Sequence, residues 1–417
     1  MNFDDTPEEA AFRAKARAWI DANAPRQFED ELRSAYYASL GITSEDPIPH
    51  AKAWQAKKAE AGYACPSWPK EYGGGGMSPI ERVIWEQEEG PYWLLSALFM
   101  IGHGMCGPTI ISWGDEAQKQ HYLPPMITGE KVWCQLFSEP VAGSDLAGLR
   151  TRAEPAPDGS GDWIVNGQKV WTSNAHLSDY GLLIARTDPT VAKHKGLTAF
   201  LVDMRSPGVE VRPIRQANNN RDFNEVYFTD VRITDANRLG PVGKGWEVAL
   251  TTLMNERLSI GSMIPTGFPE LFAFAAGLET IDGPAIEDRA VRSKLAQWAV
   301  KASGLKYTAL RGISALSRGE NPGPENSIGK LVAGTMMQEI ATFALDLQGP
   351  AGILTDKAVS PADGWFQVLL LRSPGSRIEG GTDEILRNVI AERVLGLPGD
   401  IRADKGMAFN QIPTRAS

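Results

Sequence analysis

The strongest constraint on the fold of this chain is a change of sequence pattern near residue 132 and a second change near residue 236. Between them lie short runs rich in β-branched and aromatic residues, separated by turn residues: WIVNGQKVW, YGLLIAR, LTAFLVD, VEVRPI and EVYFTDVRI. Such runs predict β-strands, and the Asn166-Gly167 pair in the first run is typical of a hairpin turn. Residues 132–236 are therefore predicted to form a small antiparallel β domain.

Helical patterns flank this region on both sides. Residues 1–131 contain two helix starts of the same design, Thr6-Pro7-Glu8-Glu9 and Ser78-Pro79-Ile80-Glu81, each with a capping hydroxyl, an early proline and a glutamate that closes a capping box. Residues 237–417 show helical periodicity with Gly/Pro breaks near 265, 283, 319–324 and 349–352, which suit a helical bundle. The predicted fold is mostly α with a central β domain, divided into domains at 1–131, 132–236 and 237–417.

Composition argues against several classes of protein. Lys and Arg total 42 against 51 Asp and Glu, a net charge of −9, so neither nucleic acid nor a membrane surface is an expected partner. The most apolar run, residues 92–101, is too short to span a bilayer. Three cysteines without C-x-x-C spacing, and an N-terminus without the order of a signal peptide, favour a soluble protein of the reducing cytoplasm.

Two familiar kinds of motif fail their context test. The four glycines at 73–76 follow no predicted strand and precede no Lys-Ser/Thr, so they indicate a flexible loop and not a phosphate cradle. The five histidines are scattered and form no H-E-x-x-H or paired Cys/His pattern. No metal site is predicted.

Two segments of the β region place small and hydroxylated residues where a ligand could approach the backbone. Residues 135–145, QLFSEPVAGSD, form a turn that leaves an apolar run, and such a turn lets amides and hydroxyls reach a planar ligand. Trp171-Thr172-Ser173 offers an aromatic wall beside two hydroxyls. Ordinary packing of a β domain also explains each segment taken alone, because aromatic residues usually serve cores.

Four motifs together carry a more specific resemblance. QLFSEPVAGSDLAGLRTRAE, NGQKVWTSNA, NERLSIG and GGTDEILRNVIAERVLGLP occur in the order and spacing of the acyl-CoA dehydrogenase family, and the resemblance covers nearly the whole chain. It implies an N-terminal helical domain, a small antiparallel β domain and a C-terminal four-helix bundle. It also implies FAD as the cofactor and the removal of two hydrogens from the α and β carbons of an acyl-CoA thioester.

The resemblance assigns cofactor and substrate residues position by position. Phe137 and Ser138 would lie along the flavin ring, and Trp171 would back it. The FAD-binding residues that it implies are Gln135, Phe137, Ser138, Ser144, Trp171, Thr172, Ser173, Thr382 and Glu384. The substrate-binding residues that it implies are Ser144, on the CoA side of the substrate, with Arg257, Gly380 and Gly381. Thr382 and Glu384 would meet the ribityl and diphosphate region at a helix N-terminus, although Thr382 also fits a helix N-cap without any ligand.

The catalytic base is expected to be a carboxylate close to the α carbon, in a dry pocket that raises its pKa toward neutrality. The commoner family position directly precedes the Gly-Thr of the last motif, and this chain has Gly380 there. Glu379 lies one residue earlier, where a tight turn would point it elsewhere, so it is a second candidate. The other family position, typical of the long-chain and isovaleryl-type branch, matches Glu256.

Glu256 falls on a predicted helical stripe with four apolar residues, namely Ala249, Leu253, Ile260 and Met263. A structural salt bridge to Arg257 or Arg150 is the alternative role for such a carboxylate. Because the reaction requires a base and Gly380 has no side chain, Glu256 is predicted to be catalytic.

Two motifs that many family members use across a subunit interface are altered. No R-x-x-F-G occurs between Pro265 and Arg311, and the usual Gln-x-x-Gly-Gly stretch reads Asp346-Leu347-Gln348-Gly349-Pro350. Either a different second subunit supplies these contacts in a hetero-oligomer, or the chain forms a divergent homo-oligomer, as a dimer or a tetramer.

Several functional alternatives stay open on the sequence. An acyl-CoA oxidase would share the site, and a non-catalytic partner subunit would explain Gly380 and the altered interface motifs, although Glu256 argues against it. For a dehydrogenase, the family implies electron-transfer flavoprotein as the electron acceptor. Fatty acyl, dicarboxylic and steroid thioesters are all candidate substrates.

Overall fold

The computed structural model describes residues 5–34, 44–260, 266–318, 323, 326–399, 401–402 and 404–413. The chain divides into two compact units. The larger unit contains the described residues within Asp4–Ser259 and Ile401–Ser417, and the smaller unit contains those within Ile260–Asp400.

The larger unit begins with a helical region. Thr6 and Ser78 each accept a hydrogen bond from the amide three residues later, and Glu9 and Glu81 bond back to the amides of the caps, so both predicted capping boxes are confirmed. The described α-helices of this region are α1 (Pro7–Asn23), α2 (Glu29–Ser34), α3 (Pro47–Glu60), α4 (Pro79–Glu89), α5 (Trp93–Ser96), α6 (Gly107–Trp113) and α7 (Glu116–Ile127).

A buried ion pair organises the core of this helical region. Lys58 Nζ on α3 lies 2.7 Å from Glu89 Oε1 at the end of α4. The indole N–H groups of Trp54 and Trp85 donate to the same carboxylate at 3.0 and 2.9 Å, and the Ser96 hydroxyl donates at 2.6 Å. The pair is tolerable in a hydrophobic core because these donors surround the carboxylate.

Glu89→Ala should therefore lower the free energy of unfolding by about 3–5 kcal/mol, because it leaves the Lys58 ammonium buried without its partner. The matched control is Glu86→Ala on the same helix, which removes an exposed pair with Arg82 and should cost less than about 1 kcal/mol. Urea unfolding of the two variants measures the difference. Equal losses would contradict a structural role for the buried pair.

The middle of the chain forms an eight-stranded sheet. Its strands are β1 (Trp133–Leu136), β2 (Arg152–Pro155), β3 (Trp163–Ser173), β4 (Tyr180–Arg186), β5 (Leu197–Asp203), β6 (Val209–Pro213), β7 (Phe223–Ile233) and β8 (Arg238–Leu239). Their order is β6-β7-β3-β2-β4-β5-β8, with β1 paired to β4. Pairing is antiparallel except that β4 runs parallel to β1 and β2. The predicted mostly α fold with a central, largely antiparallel β domain is confirmed.

The predicted hairpin turn at Asn166-Gly167 is wrong, because both residues lie inside β3. The pairing of β3 with β7 shifts register between Val165 and Gly167, so the dipeptide marks a β-bulge. A side chain at 167 would place its Cβ 2.5 Å from Thr151 Oγ1. A glycine is needed at 167 because the segment around Thr151 approaches its backbone closely.

Helix α8 (Gly245–Ile260) follows the sheet. The smaller unit then contains α9 (Phe268–Gly277), the short strands β9 (Glu279–Thr280) and β10 (Gly283–Pro284), α10 (Arg289–Ser317), α11 (Asn326–Leu347), α12 (Trp365–Ser376) and α13 (Asp383–Val389). Helix α11 contributes much of the buried core of this unit, including Met336, Met337 and Ile340.

In the part of the chain that the structure describes, no single helix is long and apolar enough to cross a membrane. One pair of helical segments, Pro79–Phe99 and Gly102–Trp113, meets the length and composition criteria together, but it is bent by 79° at its break.

Candidate active site

The first predicted ligand segment leaves the sheet at the end of β1. Gln135 and Leu136 pair with β4, and the chain then turns away at the buried Phe137 and the half-buried Ser138. Glu139 and Ala142 exchange backbone hydrogen bonds of 3.1 Å each, which closes a tight turn. The turn holds Phe137 and Ser138 at the end of the strand.

The second predicted segment lies at a bulge in β3. Pairing with β7 shifts between Lys169 and Thr172, and Trp171 adopts a left-handed backbone with φ of 59°. Such a conformation costs a non-glycine residue roughly 1–3 kcal/mol and is typical of functional sites. As a result the Trp171 indole is 59% exposed instead of packing within the sheet. The buried Thr172 Oγ1 has no hydrogen-bond partner among the described residues.

A buried ion pair joins the two segments. Lys169 Nζ, immediately before the bulge, lies 2.8 Å from Glu139 Oε1 and donates to the Phe137 carbonyl at 3.0 Å. The Val170 amide donates to the Ser138 carbonyl at 2.9 Å. The side chain of Lys169 is 0% exposed and that of Glu139 is 3% exposed. The structure thus brings Phe137 and Ser138 together with the bulge that carries Trp171.

Both members of this pair are satisfied by several partners. Besides Lys169, Glu139 accepts hydrogen bonds from the Arg150 and Thr151 amides at 2.6 and 2.9 Å. Burial alone would raise the pKa of Glu139, but the Lys169 charge and these donors hold it below its usual value. Burial lowers the pKa of Lys169, and the Glu139 carboxylate opposes that shift.

Sequence reasoning missed Glu139 and Lys169 as members of the site. Both occur in the motifs that carry the resemblance, and each is a charge set within an apolar or small-residue run. A pair of opposite charges in such contexts is a signal that could have found them, because buried charges are normally paired.

Ser144 lies on the exposed part of the loop that follows the Glu139 turn. The next residues form a short 3-10 turn, Leu146–Gly148, in which Leu146 and Ala147 are buried. Ser144 is therefore accessible to a ligand, and its predicted contact with the CoA side of the substrate stays a prediction.

Glu256 lies near the end of α8. Earlier turns of this helix bury Val248, Ala249 and Thr252, and the Thr252 hydroxyl lies 2.9 Å from that of Thr109 on α6. Glu256 follows Thr252 by one turn and is half-buried. Of the predicted apolar stripe, Ala249 is buried and Leu253 is partly exposed. The side chains of Arg257 and Ile260, and all of Met263, lie outside the described residues.

The last motif lies in the smaller unit. Gly380 and Gly381 have φ of 60° and 98°, and the Lys330 ammonium donates to the Gly381 carbonyl at 2.6 Å. Thr382 is the N-cap of α13 and accepts from the Ile385 amide at 3.2 Å, so its capping role is confirmed. Glu384 is exposed in the first turn of the same helix.

Glu379, the second candidate for the base, is already engaged. Both of its carboxylate oxygens lie 2.6 Å from Arg372 NH2. Its carboxylate therefore forms an ion pair within the smaller unit.

In the described residues, no group of three or more His, Cys, Asp or Glu side chains could hold a metal ion. In the larger unit, the candidate site contains an exposed indole and neighbouring hydroxyls at the Trp171 bulge and the turn after β1. These features fit a large planar ligand with polar substituents.

Comparison with known protein families identifies the family to which this chain belongs. The sequence matches the family model of the acyl-CoA dehydrogenase N-terminal domain over residues 6–130, the middle domain over 134–231 and the C-terminal domain over 243–395. The chain belongs to the acyl-CoA dehydrogenase family. It is accordingly an acyl-CoA dehydrogenase, and members of the family are FAD flavoproteins.

Individual relatives agree with this assignment. Acyl-CoA dehydrogenase IpdE1 of Mycolicibacterium smegmatis is 36% identical over 406 residues, covering 94% of this chain and 98% of the relative. The ChsE4-ChsE5 complex from Mycobacterium tuberculosis is 28% identical with a TM-score of 0.77, covering 96% of this chain and 100% of the matched chain. The Tcur3481-Tcur3483 steroid ACAD is 26% identical with the same TM-score and the same coverage.

The residues of this acyl-CoA dehydrogenase fit FAD. The exposed, strained Trp171 offers a flat apolar surface, and the buried Thr172 hydroxyl has no hydrogen-bond partner among the residues that the structure describes. The paired glycines before α13 leave the backbone open to close approach. Within the larger unit, Phe137, Ser138, Trp171 and Ser173 would hold the ring system.

Lys169→Met should reduce the FAD content of the purified acyl-CoA dehydrogenase and lower its free energy of unfolding by about 3–5 kcal/mol, because Glu139 is left buried without a counter-charge. The matched double variant, Lys169→Met with Glu139→Gln, has no unpaired buried charge at this site and should recover most of the stability. The flavin-to-protein absorbance ratio and urea unfolding measure the two effects. A single variant with full FAD content and native stability would refute a role for the pair.

Proposed function

We propose that this acyl-CoA dehydrogenase converts an acyl-CoA thioester into a trans-2-enoyl-CoA, with Glu256 as the base that removes the α proton. The proposal rests on the side chains found at the three candidate positions for the catalytic base. Gly380 has no side chain, Glu379 is bound by Arg372, and Glu256 is a half-buried carboxylate one turn beyond the buried face of α8.

The surroundings of Glu256 support a role as proton acceptor. The preceding turns of α8 are fixed by buried contacts, including the Thr252–Thr109 hydroxyl pair and the 2.9 Å bond from the Trp113 indole to Thr251. A rigid helix keeps a catalytic carboxylate within narrow limits of position. When bound, FAD would supply the hydride acceptor, N5, for the β hydrogen.

The backbone N–H of Gly380 is the donor that we assign to the thioester oxygen as negative charge develops on it. The left-handed backbone at Gly380 and Gly381 favours glycine, and a backbone donor does not depend on a side chain at that position. The motif can therefore keep this role without a glutamate.

Glu256→Gln should retain FAD but bleach its flavin with substrate about 10²- to 10⁴-fold more slowly than the parent enzyme, because the amide cannot accept the proton. The control is Glu247→Gln, which changes a carboxylate on the same helix that pairs with Lys244 at the surface. Anaerobic stopped-flow absorbance measures both rates. Undiminished bleaching in Glu256→Gln would exclude this residue as the base.

We propose a steroid-derived acyl-CoA as the substrate class. The support is the 26% identity, over 96% of this chain, to a structure described as a steroid ACAD. Anaerobic titration with steroid, branched and straight-chain acyl-CoAs ranks the candidates by kcat/KM for flavin bleaching. Faster bleaching by a short straight-chain thioester than by any steroid thioester would contradict the proposal.

We propose that the chain assembles with a different, homologous subunit. The position of the usual glutamine in the Gln-x-x-Gly-Gly motif holds Asp346, and the position of its last glycine holds Pro350. The R-x-x-F-G motif is absent from the sequence. A similar structure is described as a complex of two named components, ChsE4 and ChsE5.

Co-expression with a homologue encoded nearby should give a complex with both chains in equal amounts and more FAD per chain than this chain binds alone. Native mass spectrometry of the purified complex measures both quantities. A homo-oligomer saturated with FAD in the absence of any second chain would contradict the proposal.

Two further assignments belong to the same proposal. Electron-transfer flavoprotein is the proposed electron acceptor, as the family implies. The cytoplasm is the proposed location, which is supported by the free, buried state of Cys65, Cys106 and Cys134. Reduction of purified electron-transfer flavoprotein in the presence of substrate tests the first assignment.

A further inference from the structure

The end of the chain returns to the β sheet after the smaller unit. The match to the family's C-terminal domain stops at residue 395, whereas described residues 404–413 pack on the larger unit. The Phe409 and Asn410 amides donate to the carbonyls of Val191 and Pro189 at 2.8 and 2.9 Å, and Ala408 forms a β-bridge with Ala192. Residues 404–413 are called the C-terminal strap below.

The strap covers a buried arginine. The Arg186 guanidinium donates to the carbonyls of Ala147 and Leu149 at 2.6 and 3.1 Å, and the Phe409 ring lies over its face, with its centroid 3.4 Å from Cζ. Burial lowers the pKa of Arg186 to about 10, so the group stays charged at neutral pH. The same guanidinium that holds the loop carbonyls is thus closed off from water by the strap.

A lysine joins the strap to the loop that carries Ser144. Lys193 Nζ lies 2.8 Å from Asp145 Oδ2 and 2.5 Å from Asp404 Oδ2, and its side chain is 10% exposed. Asp145 is the direct neighbour of Ser144, and its own side chain is 62% exposed. Residues 143–149 are called the Ser144 loop below.

The structure divides this loop into a fixed part and an open part. Leu146, Ala147 and Leu149 are buried, whereas Gly143, Ser144 and Asp145 are exposed. The buried part secures the fold, and the Lys193 bond to Asp145 acts on the exposed part. A change in the strap should consequently affect what the exposed part binds more than it affects stability.

We propose that the C-terminal strap positions the Ser144 loop to receive the CoA portion of the substrate, with Lys193 as the positioning residue that transmits the effect of Asp404. This rests on the proposed function, in which Ser144 contacts the CoA side of the thioester. The strap is then part of the substrate site although it lies beyond the matched family domain.

The test compares full-length Asp404→Asn with the parent enzyme, each carrying FAD, on two substrates with the same acyl group. One is the acyl-CoA, and the other is its N-acetylcysteamine thioester, which lacks most of the CoA portion. The expected result is a KM for the acyl-CoA raised about tenfold, as for the loss of one charge-assisted hydrogen bond. The limiting rate of flavin bleaching and the KM for the short thioester should stay within twofold of the parent values.

Two further variants separate positioning from general stability. Lys193→Met should reproduce the acyl-CoA-specific rise in KM, and Lys193→Arg should largely rescue it, because a guanidinium can bond both carboxylates. The control is Asp158→Asn, which removes a surface pair with Arg232 elsewhere on the sheet and should change neither KM. Equal rises in KM for both thioesters, or no rise for either, would overturn the proposal.

Failure of the underlying function gives a different result. If no thioester bleaches the flavin of the parent enzyme, the proposed function fails. Amide hydrogen exchange then tests the strap independently of activity, since residues 143–145 should exchange faster in Asp404→Asn than in the parent protein. Identical exchange in the two proteins would overturn the positioning role.

Discussion

The buried pair of Lys169 and Glu139 is the interaction on which the proposed flavin site depends. Removing two charges from water costs several kcal/mol each, and such a pair is sustained only when further hydrogen bonds satisfy both ions. Here the carboxylate also accepts from the Arg150 and Thr151 amides, and the ammonium donates to the Phe137 carbonyl. Three separate segments of the β domain are therefore held by one pair.

This arrangement explains how Trp171 can stay exposed in a strained conformation. The pair fixes the residue two positions before it, and Thr172 and Ser173 regain regular pairing with β7 directly after it. The backbone between these anchors has little freedom to relax into the sheet, so the strain persists. Glu89 uses the same principle in the helical region, where one carboxylate collects donors from several helices.

Local sequence patterns predicted local structure well and distant contacts poorly. The capping boxes at Thr6 and Ser78 follow from side chains three residues apart, and the sequence predicts them directly. The Asn166-Gly167 pair has the local pattern of a turn. A glycine is needed at 167, however, because Thr151 lies too close for a side chain there, and Thr151 is 16 residues away in the sequence. The Glu139–Lys169 bond and the Lys193–Asp404 bond join residues 30 and more positions apart, and no periodicity encodes them.

The glycine at position 380 restricts where the catalytic base can lie. A glycine at 380 keeps the backbone N–H of the turn but offers no proton acceptor, and both oxygens of the neighbouring carboxylate, Glu379, already contact Arg372. The chemistry still requires an acceptor, since a thioester α proton does not leave without one. In the proposed function, Glu256 on α8 meets that requirement, and the preceding turns of this helix are buried. The same proposal leaves the turn at 380 and 381 the role of a backbone donor, which requires no side chain.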